Sequence, residues 1–439
     1  MNVLKKFTWL IVMMTLTLSI KAQEKAQPDS VMKFSLKEAQ VYAMENNKSI
    51  LNANLDIEIA SKKVWETTAM GLPNISAKGA YQYTPKLSPI IEQFLGPNTP
   101  TTGMKWSLPG DLTVSELIFS GSYIVGLQSA RVYKSLSTLN KSKSVQDVME
   151  SITNTYFMVL IASENITILD STYQNMKQMV SDMEKMNAQG FTEETDVDQM
   201  RITLANVKSS LDFIIRQRDL ADKLLKIQMG IKIEQTVKLT ESLDQLLASQ
   251  TYEQLALADF VVDQNVNYQM VDAQVKVSSL LLKLEKSKTL PEISAYYQYE
   301  KNFNSKAISF TPPHIIGVNV SIPIFSSGAR WARIKQAKFD LQKSINTRDV
   351  TADNIKVMFL QSKSSLISAK DKYASDKQNL ELSRKIYTRS LVKYQQGIIS
   401  SIDLTQVQNQ FLQAQSTYYQ SIQNLITEKD KLEKLLTKN

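Results

Sequence analysis

Apolar residues recur at alternating spacings of three and four along two distant parts of the chain. Before Gly190 the series is Ile166, Leu169, Tyr173, Met176, Val180 and Met183. After that glycine it continues as Val197, Met200, Leu204, Val207, Leu211 and Ile214, and the second part repeats it as Leu404, Val407, Phe411, Ala414, Tyr418 and Ser421. This spacing is typical of coiled coils. The pattern therefore predicts two antiparallel helical hairpins.

Proline and glycine show how far these helices can run, because both residues interrupt a helix. No proline occurs in 110–290 or 324–439. Helices over 121–189 and 328–396 would each be about 100 Å long at 1.5 Å per residue. Rods of that length need partners, and the returning helices at 192–228 and 400–438 cover only their lower halves. Two further helices have suitable lengths for the upper halves, at 35–70, opened by the capping box Ser35-Leu-Lys-Glu38, and at 259–287.

The sequence also repeats itself in three blocks that keep the same order. Leu72-Pro-Asn-Ile-Ser-Ala returns as Leu290-Pro-Glu-Ile-Ser-Ala, and the segment 112–121 returns as 318–328. The turn Gln189-Gly190-Phe191 returns as Gln396-Gly397-Ile398. We therefore divide the chain into a first structural repeat at 23–229, an insertion at 230–257 that forms a belt outside the rods, and a second repeat at 258–439.

Each repeat contains a pair of candidate β-strands, at 73–119 and at 291–325. Apolar residues alternate with small or polar ones in Ile75, Ala77, Gly79, Tyr81 and Tyr83, and again in Ile316, Val318, Val320, Ile322 and Ile324. Such alternation is typical of a strand with one face in lipid and the other in water. Four strands, about 73–84, 104–119, 291–302 and 315–325, cannot close a barrel, and open edges are not tolerated in lipid. Three copies would supply 12 strands, with 84–103 and 302–313 as outward loops.

The first 22 residues read as a secretory signal peptide. Lys5 and Lys6 precede an apolar run from Phe7 to Ile20, with a candidate cleavage site after Ala22. The run of about 14 residues is too short to span a membrane. No other segment offers 18 uninterrupted apolar residues, so any membrane crossing is expected to use β-strands.

Composition excludes several classes of chemistry. Cysteine is absent and His314 is the only histidine, so we expect no metal site, no cofactor and no catalytic residues. The formal charge of the full sequence is +8, and removal of the three lysines of the signal peptide lowers it. The remaining chain carries no cluster of Lys and Arg. We therefore expect no nucleic-acid partner.

Taken together, these features resemble the TolC-like outer-membrane efflux proteins over essentially the whole mature chain. The resemblance rests on the duplicated order of elements, on the strand ends Ile118-Phe-Ser-Gly121 and Ile324-Phe-Ser-Ser-Gly328, and on Tyr394-Gln-Gln-Gly397 followed by Asp403. It implies a mainly α fold with a small β part, in which a homotrimer forms a 12-stranded transmembrane β-barrel and a periplasmic α-barrel. The implied function is the exit duct of a tripartite efflux or type I secretion system. The implied partners are a periplasmic adaptor (membrane fusion) protein, an inner-membrane transporter and outer-membrane lipid.

The resemblance also assigns residues to the closed inner end of such a pore. Gate candidates are Tyr394, Asp196 and Asp403, while Gln406 stands where some members place a second pore aspartate and Ile399 where some place a gating arginine. The turns would face the adaptor through Gln189, Gly190, Phe191, Gln396, Gly397 and Ile398.

Three other readings remain open at this point. A periplasmic coiled-coil tether or chaperone explains the rods but not the duplicated strands. An enzyme would need a catalytic cluster, and a conventional porin would be mostly strand. Methionines at 176, 179, 183 and 186 could handle a soft metal, although adaptable packing explains them as well. The sequence does not identify the substrate.

Overall fold

A computed structural model describes residues 31–85, 89, 93, 106–248, 252–304 and 312–437. The predicted signal peptide and most of the two predicted outward loops lie outside these residues. The helices are α1 (Leu36–Asn46), α2 (Lys48–Ala69), α3 (Gly121–Ala188), α4 (Glu194–Met229), α5 (Leu243–Ala248), α6 (Tyr252–Ala256), α7 (Val266–Ser287), α8 (Ala329–Gln395) and α9 (Ser401–Leu436). The strands are β1 (Met32–Phe34), β2 (Asn74–Gly79), β3 (Gln82–Tyr83), β4 (Trp106–Ser107), β5 (Pro109–Ser120), β6 (Val237–Leu239), β7 (Glu292–Asn302) and β8 (His314–Ser321).

The two long helices, α3 and α8, contain 68 and 67 residues and are each about 100 Å long. Helices α2 and α4 pack along α3, and α7 and α9 pack along α8, so each rod has the predicted two-piece partner. Helices α7 and α9 also contact α3, which joins the two repeats into one layer. One edge of the layer is therefore formed by α2 and α4, and the other by α8.

The strands form one antiparallel sheet in the order β2-β5-β7-β8, and β3 and β4 extend its first hairpin. The register places Ile75, Val114, Tyr297 and Ile316 in one row across the sheet. The neighbouring row on the other face begins with Ser76 and continues through Thr113 and Gln298. One face is thus mainly apolar and the other mainly polar, as the alternation predicted, although Glu116 lies on the first face and Ile315 on the second. The strands at both edges of this described sheet are unpaired.

Four predicted boundaries are corrected by the structure. The strand predicted over 315–325 ends at Ser321, because Pro323 has no N–H to continue the ladder. The strand predicted from 104 is a separate β4 followed by β5, which begins at Pro109. The helix predicted over 35–70 is interrupted at Asn47, whose side chain accepts hydrogen bonds from the first turn of α2. The helix predicted from 259 begins after Asn265, which caps α7 in the same way.

The insertion at 230–257 forms a belt against the rods and includes a strand that the sequence did not predict. Strand β6 pairs in parallel with β1, so the start of the described chain belongs to the belt. The Tyr156 hydroxyl of α3 donates to the carbonyl of Phe34 over 3.1 Å. Gly230 has φ +78°, and a Cβ there would lie 2.2 Å from the Asn46 carbonyl oxygen, so glycine is required where the belt leaves α4.

Helix α3 contains an 18-residue window that is apolar enough by composition to cross a membrane, and 44% of that window is buried. Among the fully buried side chains of this helix are Ile152, Tyr156 and Phe157, each 0% exposed. All three lie in the core that joins the rods to the belt. The apolar composition of α3 therefore reflects packing between the belt and the rods.

A buried carboxylate, Asp430, lies where α9 packs against α3. Its Oδ2 accepts a long hydrogen bond of 3.4 Å from Asn154 Nδ2, and Lys429 Nζ is 3.7 Å from its Oδ1. Burial raises the pKa of Asp430 to about 7; Lys429 opposes this shift, whereas Glu433 and Glu150 add to it. Ionisation of Asp430 therefore opposes the folded state near neutral pH.

The raised pKa predicts how stability changes with pH. The folded-state pKa lies above the unfolded value of about 3.9, so the contribution of this group is fully present at low pH and is lost as pH rises through about 7. Asp430→Asn keeps a hydrogen-bond acceptor and cannot ionise. We expect the variant to lose less thermal stability than the wild type between about pH 5 and about pH 8, measured by circular dichroism.

The matched control is Asp219→Asn, which removes an exposed carboxylate that pairs with Lys223. Hydrogen bonding to Lys223 lowers the pKa of Asp219, so this control should not flatten the loss of stability at neutral pH. Equal pH dependence in Asp430→Asn and the wild type would contradict the prediction.

Candidate functional site

The two helical hairpins end in turns of the same geometry. Gly190 and Gly397 have φ of +79° and +71°, a conformation that glycine adopts without strain. The N–H of Phe191 donates to the Met186 carbonyl over 3.0 Å, and the equivalent N–H of Ile398 closes the second turn over 2.9 Å. Glycine-ended helices use these bonds to satisfy their last carbonyls. The repeated glycines are thus explained by the turns that they form.

The turns present apolar side chains to solvent. Phe191 is 74% exposed and Ile398 is 63% exposed. All six residues predicted to face an adaptor are exposed at the ends of the rods, namely Gln189, Gly190, Phe191, Gln396, Gly397 and Ile398. An exposed apolar side chain at equivalent positions of both hairpins is a feature of protein-binding surfaces.

The helices that follow the turns begin differently, although the repeat makes Asp196 and Asp403 equivalent. In the second repeat Ser400 caps α9: its Oγ accepts from the Asp403 N–H over 3.1 Å and donates to the Asp403 carboxylate over 2.7 Å. These hydrogen bonds with Ser400 lower the pKa of Asp403. In the first repeat the cap position holds Glu193, which makes no side-chain capping bond. Asp196 is therefore not engaged in a capping box.

Asp196 instead links the two hairpins. Its Oδ1 accepts a hydrogen bond from the Ser401 hydroxyl at the start of α9. Tyr394 is half-buried nearby, and its pKa is raised by burial, with the charge of Asp196 adding to the shift. Both side chains line a cavity of about 570 Å³ between the hairpins, together with Phe191 and Ile399. The structure thus brings together five residues that the sequence singled out, namely Phe191, Asp196, Tyr394, Gly397 and Ile399, and adds Ser401.

Asp403 and Gln406 are not among the residues that line this cavity, and both are exposed on α9. Ser401 was not predicted from the sequence. Its partner lies in the other repeat, so no local motif marks it. Ser400 precedes the second of these helices, whereas Glu193 stands at the equivalent position before the first. This difference is the one sequence signal that could have distinguished Asp196 from Asp403.

Methionine side chains fill the core beneath the turns. Met176 and Met183 are buried with Phe411 and Tyr387, whose rings stack at 5.4 Å between centroids. Gln408 Nε2 donates to the Met176 sulfur over 2.6 Å. In the part of the chain that the structure describes, no group of three or more His, Cys, Asp or Glu side chains could hold a metal ion. The methionines are accounted for by packing.

The fold combines two long helical rods and their partner helices with a small antiparallel sheet at one end. Residues 261–438 match the family described as Outer membrane efflux protein. No curated protein matches the sequence.

Solved structures extend the likeness to the rest of the chain. The CusC structure has a TM-score of 0.74 and 17% identity, covering 92% of this chain and 92% of that one. The Vibrio cholerae outer membrane protein VceC has a TM-score of 0.71 at 15% identity, covering 92% and 96%. The Campylobacter jejuni CmeC outer membrane channel has a TM-score of 0.71 at 16% identity, covering 91% and 85%. These likenesses confirm the predicted fold, which is mainly α with a small β part.

The contact between Asp196 and Ser401 predicts that the two turns are coupled. Ser401→Ala removes the only hydroxyl that Asp196 contacts across the hairpins among the described residues. We expect faster amide hydrogen exchange in both turns, near 186–200 as well as near 394–405, measured by mass spectrometry.

Ser416→Ala is the control, because it removes an exposed serine hydroxyl of α9 away from the turns. Faster exchange confined to the segment around Ser401, with the first turn unchanged, would show that the hydroxyl stabilises only its own helix.

Proposed function

We propose that three copies of this chain close a channel that serves as the outer-membrane exit duct of a tripartite efflux or type I secretion system. The proposal rests mainly on one observation: a four-stranded antiparallel sheet, apolar on one face, has unpaired strands at both edges. Unpaired backbone groups are not tolerated in lipid, and four strands cannot close on themselves. The edges must therefore be paired by other copies.

The two edges of the chain are complementary in both layers. In the order β2-β5-β7-β8 alternate strands run in opposite directions, so β8 of one copy can pair antiparallel with β2 of the next. Strand β2 follows α2, and β8 precedes α8, so the same two edges continue into the helical layer. Such head-to-tail contacts form a closed ring when the rotation closes. Three copies give 12 strands, an even number within the range of single-chain barrels.

The edges of the helical layer carry large apolar side chains that the single chain leaves exposed. On α2 these include Ile59 and Trp65, which are 65% and 63% exposed. On α8 they include Trp331 and Phe339, at 66% and 64%. Exposed apolar patches on opposite edges are expected where neighbouring copies pack. This supports the trimer and leaves a tether without a pore unsupported.

We assign the closed end of the pore to the turn region. Asp196 and Tyr394 would form a lock between the hairpins through Ser401, with Ile399 in the place of a charged partner. Asp403 and Gln406 are three residues apart on α9 and therefore lie on one face of that helix. Since both are exposed and Asp403 is held by its own cap, we assign this pair to the lining of the pore and not to the lock.

The turns would bind a periplasmic adaptor, and through it an inner-membrane transporter. The exposed Phe191 and Ile398 supply apolar contacts for such a partner, and the turn backbones are rigid because each is closed by hydrogen bonds. The choice of substrate would lie with the transporter, because the described residues of the turns and of the cavity between them contain no built site for a particular cargo.

The proposed lock predicts how the conductance of the channel changes when its residues are replaced. The wild type should run as a heat-resistant trimer and conduct weakly in planar bilayers. Asp196→Ala combined with Tyr394→Phe removes the carboxylate and the phenol that meet between the hairpins, so single-channel conductance and antibiotic leakage should both rise.

Asp403→Ala is the informative comparison, because it removes the equivalent carboxylate of the second repeat without touching the contact between hairpins. It should change ion selectivity more than conductance. Equal conductance of the Asp196→Ala, Tyr394→Phe double variant and the wild type would remove both residues from the lock. A stable, water-soluble monomer would contradict the channel itself.

If the turns bind an adaptor, the exposed side chains of Phe191 and Ile398 are needed for export and not for assembly of the trimer. Phe191→Glu combined with Ile398→Glu replaces apolar contacts with charges at both turns. We expect normal trimers in the membrane and loss of export, measured as drug susceptibility or secretion in a strain that lacks the native channel.

Asn206→Glu combined with Gln410→Glu adds the same number of charges at exposed positions away from the turns and should preserve export. Loss of trimers in the Phe191→Glu, Ile398→Glu variant would indicate that the turns serve assembly.

A further inference from the structure

The apolar face of the sheet contains a shallow trough at the end that lies away from the helices. Gly79 and Gly110 are paired directly across β2 and β5, and Ala77 pairs with Leu112 in the next row on the same face. Two adjacent positions without a Cβ leave a depression beside Ala77 and Leu112. The cavity has a volume of about 760 Å³, and these four residues are among those that line it.

Aromatic side chains form the walls of the trough. On one side the rings of Tyr81 and Trp106 lie 6.4 Å apart between centroids. On the other side the Phe303 ring leans over Gly110, where a Cβ would lie 2.8 Å from its Cε2 atom. Tyr81 and Phe303 are 69% and 64% exposed, so the walls rise from the surface. An extended hydrocarbon chain fits this shape better than a globular ligand does.

One cation stands at the rim. Lys301 pairs with Gly110 in the register and therefore lies on the same face as the trough. Its Nζ lies 5.7 Å from the centroid of the Phe303 ring. Within the described residues Lys301 forms no ion pair with an acidic side chain, and it is exposed. A lysine at the mouth of an apolar trough is suited to an anionic headgroup above an acyl chain.

The position of Lys301 along β7 places the rim near the outer surface of the membrane. From Glu292, near the helices, to Lys301 the strand rises about 30 Å at about 3.3 Å per residue. A tilt of about 40° reduces this to about 23 Å, close to the roughly 25 Å apolar band of such barrels. Aromatic residues gather at the edge of that band, and a lysine on the lipid face is tolerated there and not at its centre. The trough therefore faces the outer leaflet.

We propose that this trough binds one acyl chain of an outer-leaflet lipid whose phosphate headgroup has a net negative charge, with the phosphate paired to Lys301. The inference rests on the proposed function, because the channel assigns the apolar face of the sheet to lipid. The apolar lining selects an acyl chain, and the unpaired lysine selects a negative headgroup. The lipid would be held at the open edge strand β2, beside the joint between two copies.

The test is native mass spectrometry of the full-length trimer, released from detergent micelles doped with lipid A or with phosphatidylethanolamine. The wild type should retain lipid A in preference to phosphatidylethanolamine. Gly79→Leu fills the floor of the trough, and no atom lies within 4 Å of the new Cβ to prevent folding. We expect it to lower lipid A retention by about tenfold. Lys301→Gln should remove the preference for lipid A while leaving retention of phosphatidylethanolamine unchanged.

Two control variants make similar substitutions outside the trough. Val318→Leu enlarges a side chain on the same face outside the trough, and Lys335→Gln removes a lysine that stands 5.1 Å from the Trp331 ring on α8. Both should retain lipid A as the wild type does. Equal retention in Gly79→Leu and Val318→Leu trimers would overturn the proposal and indicate that a neighbouring copy fills the trough. If the Lys301→Gln trimer kept the wild-type preference for lipid A over phosphatidylethanolamine, the proposed pairing of the phosphate with Lys301 would be overturned. Absence of a wild-type trimer would instead overturn the proposed function, and the lipid site with it.

Discussion

The architecture depends on one constraint, which is that a backbone N–H or C=O group cannot remain unpaired in lipid. The sheet of this chain has two unpaired edge strands, β2 and β8, and one apolar face. The only charged side chain of these two edge strands, Lys78 of β2, lies on the polar face. Neither edge therefore carries a charge on the apolar face, a device that soluble sheets use to prevent association. The same two edges continue downward as α2 with α4 and as α8. In the proposed trimer, a single requirement for pairing at the membrane would thus align the subunit contacts along the full length of the rods.

Much of this fold could be predicted because its signals are local and periodic. The rods follow from long proline-free segments with coiled-coil spacing, and the strands follow from alternation that the repeat shows twice. The pairing of β1 with β6 could not be predicted, because each strand has three residues and its partner lies far along the chain. The break at Asn47 was not predicted, because a single asparagine within a helical pattern is a weaker signal of a helix start than the capping box at Ser35. The structure contains that capping box as predicted.

The candidate site was predicted less completely, for a related reason. Asp196 and Asp403 occupy equivalent positions in the two repeats, so the sequence predicts the same role for both. In the structure Ser400 engages Asp403 in a local capping box, whereas Glu193 leaves Asp196 available to Ser401. A single residue that precedes each helix therefore decides whether the following aspartate stabilises its own helix or joins two hairpins. Such a choice depends on distances between repeats, which periodicity does not contain.

The seam between the two repeats differs from the seams within each hairpin. Apolar side chains are buried at both kinds of seam, since Met176 packs against Phe411 across the repeats. The helices make more extensive contact within each hairpin, however, and polar contacts recur where α9 crosses α3. Gln415 Nε2 donates to Asn165 over 2.7 Å, and the Thr427 hydroxyl donates to Asn154 over 2.8 Å. The Gln415 carbonyl oxygen is buried without a hydrogen-bond partner.

A hydrogen bond that can be exchanged for one with water contributes only about 0.5–1.5 kcal/mol, whereas separating apolar surfaces costs about 25 cal/mol for each Å². The hairpins are therefore the tighter units, and the inter-repeat seam is the one where a shift costs least. Asp196 and Ser401 lie at the lower end of that seam, where displacement of one hairpin against the other would be largest. In the proposed channel, a contact placed there would have more leverage over the width of the pore than one nearer the belt.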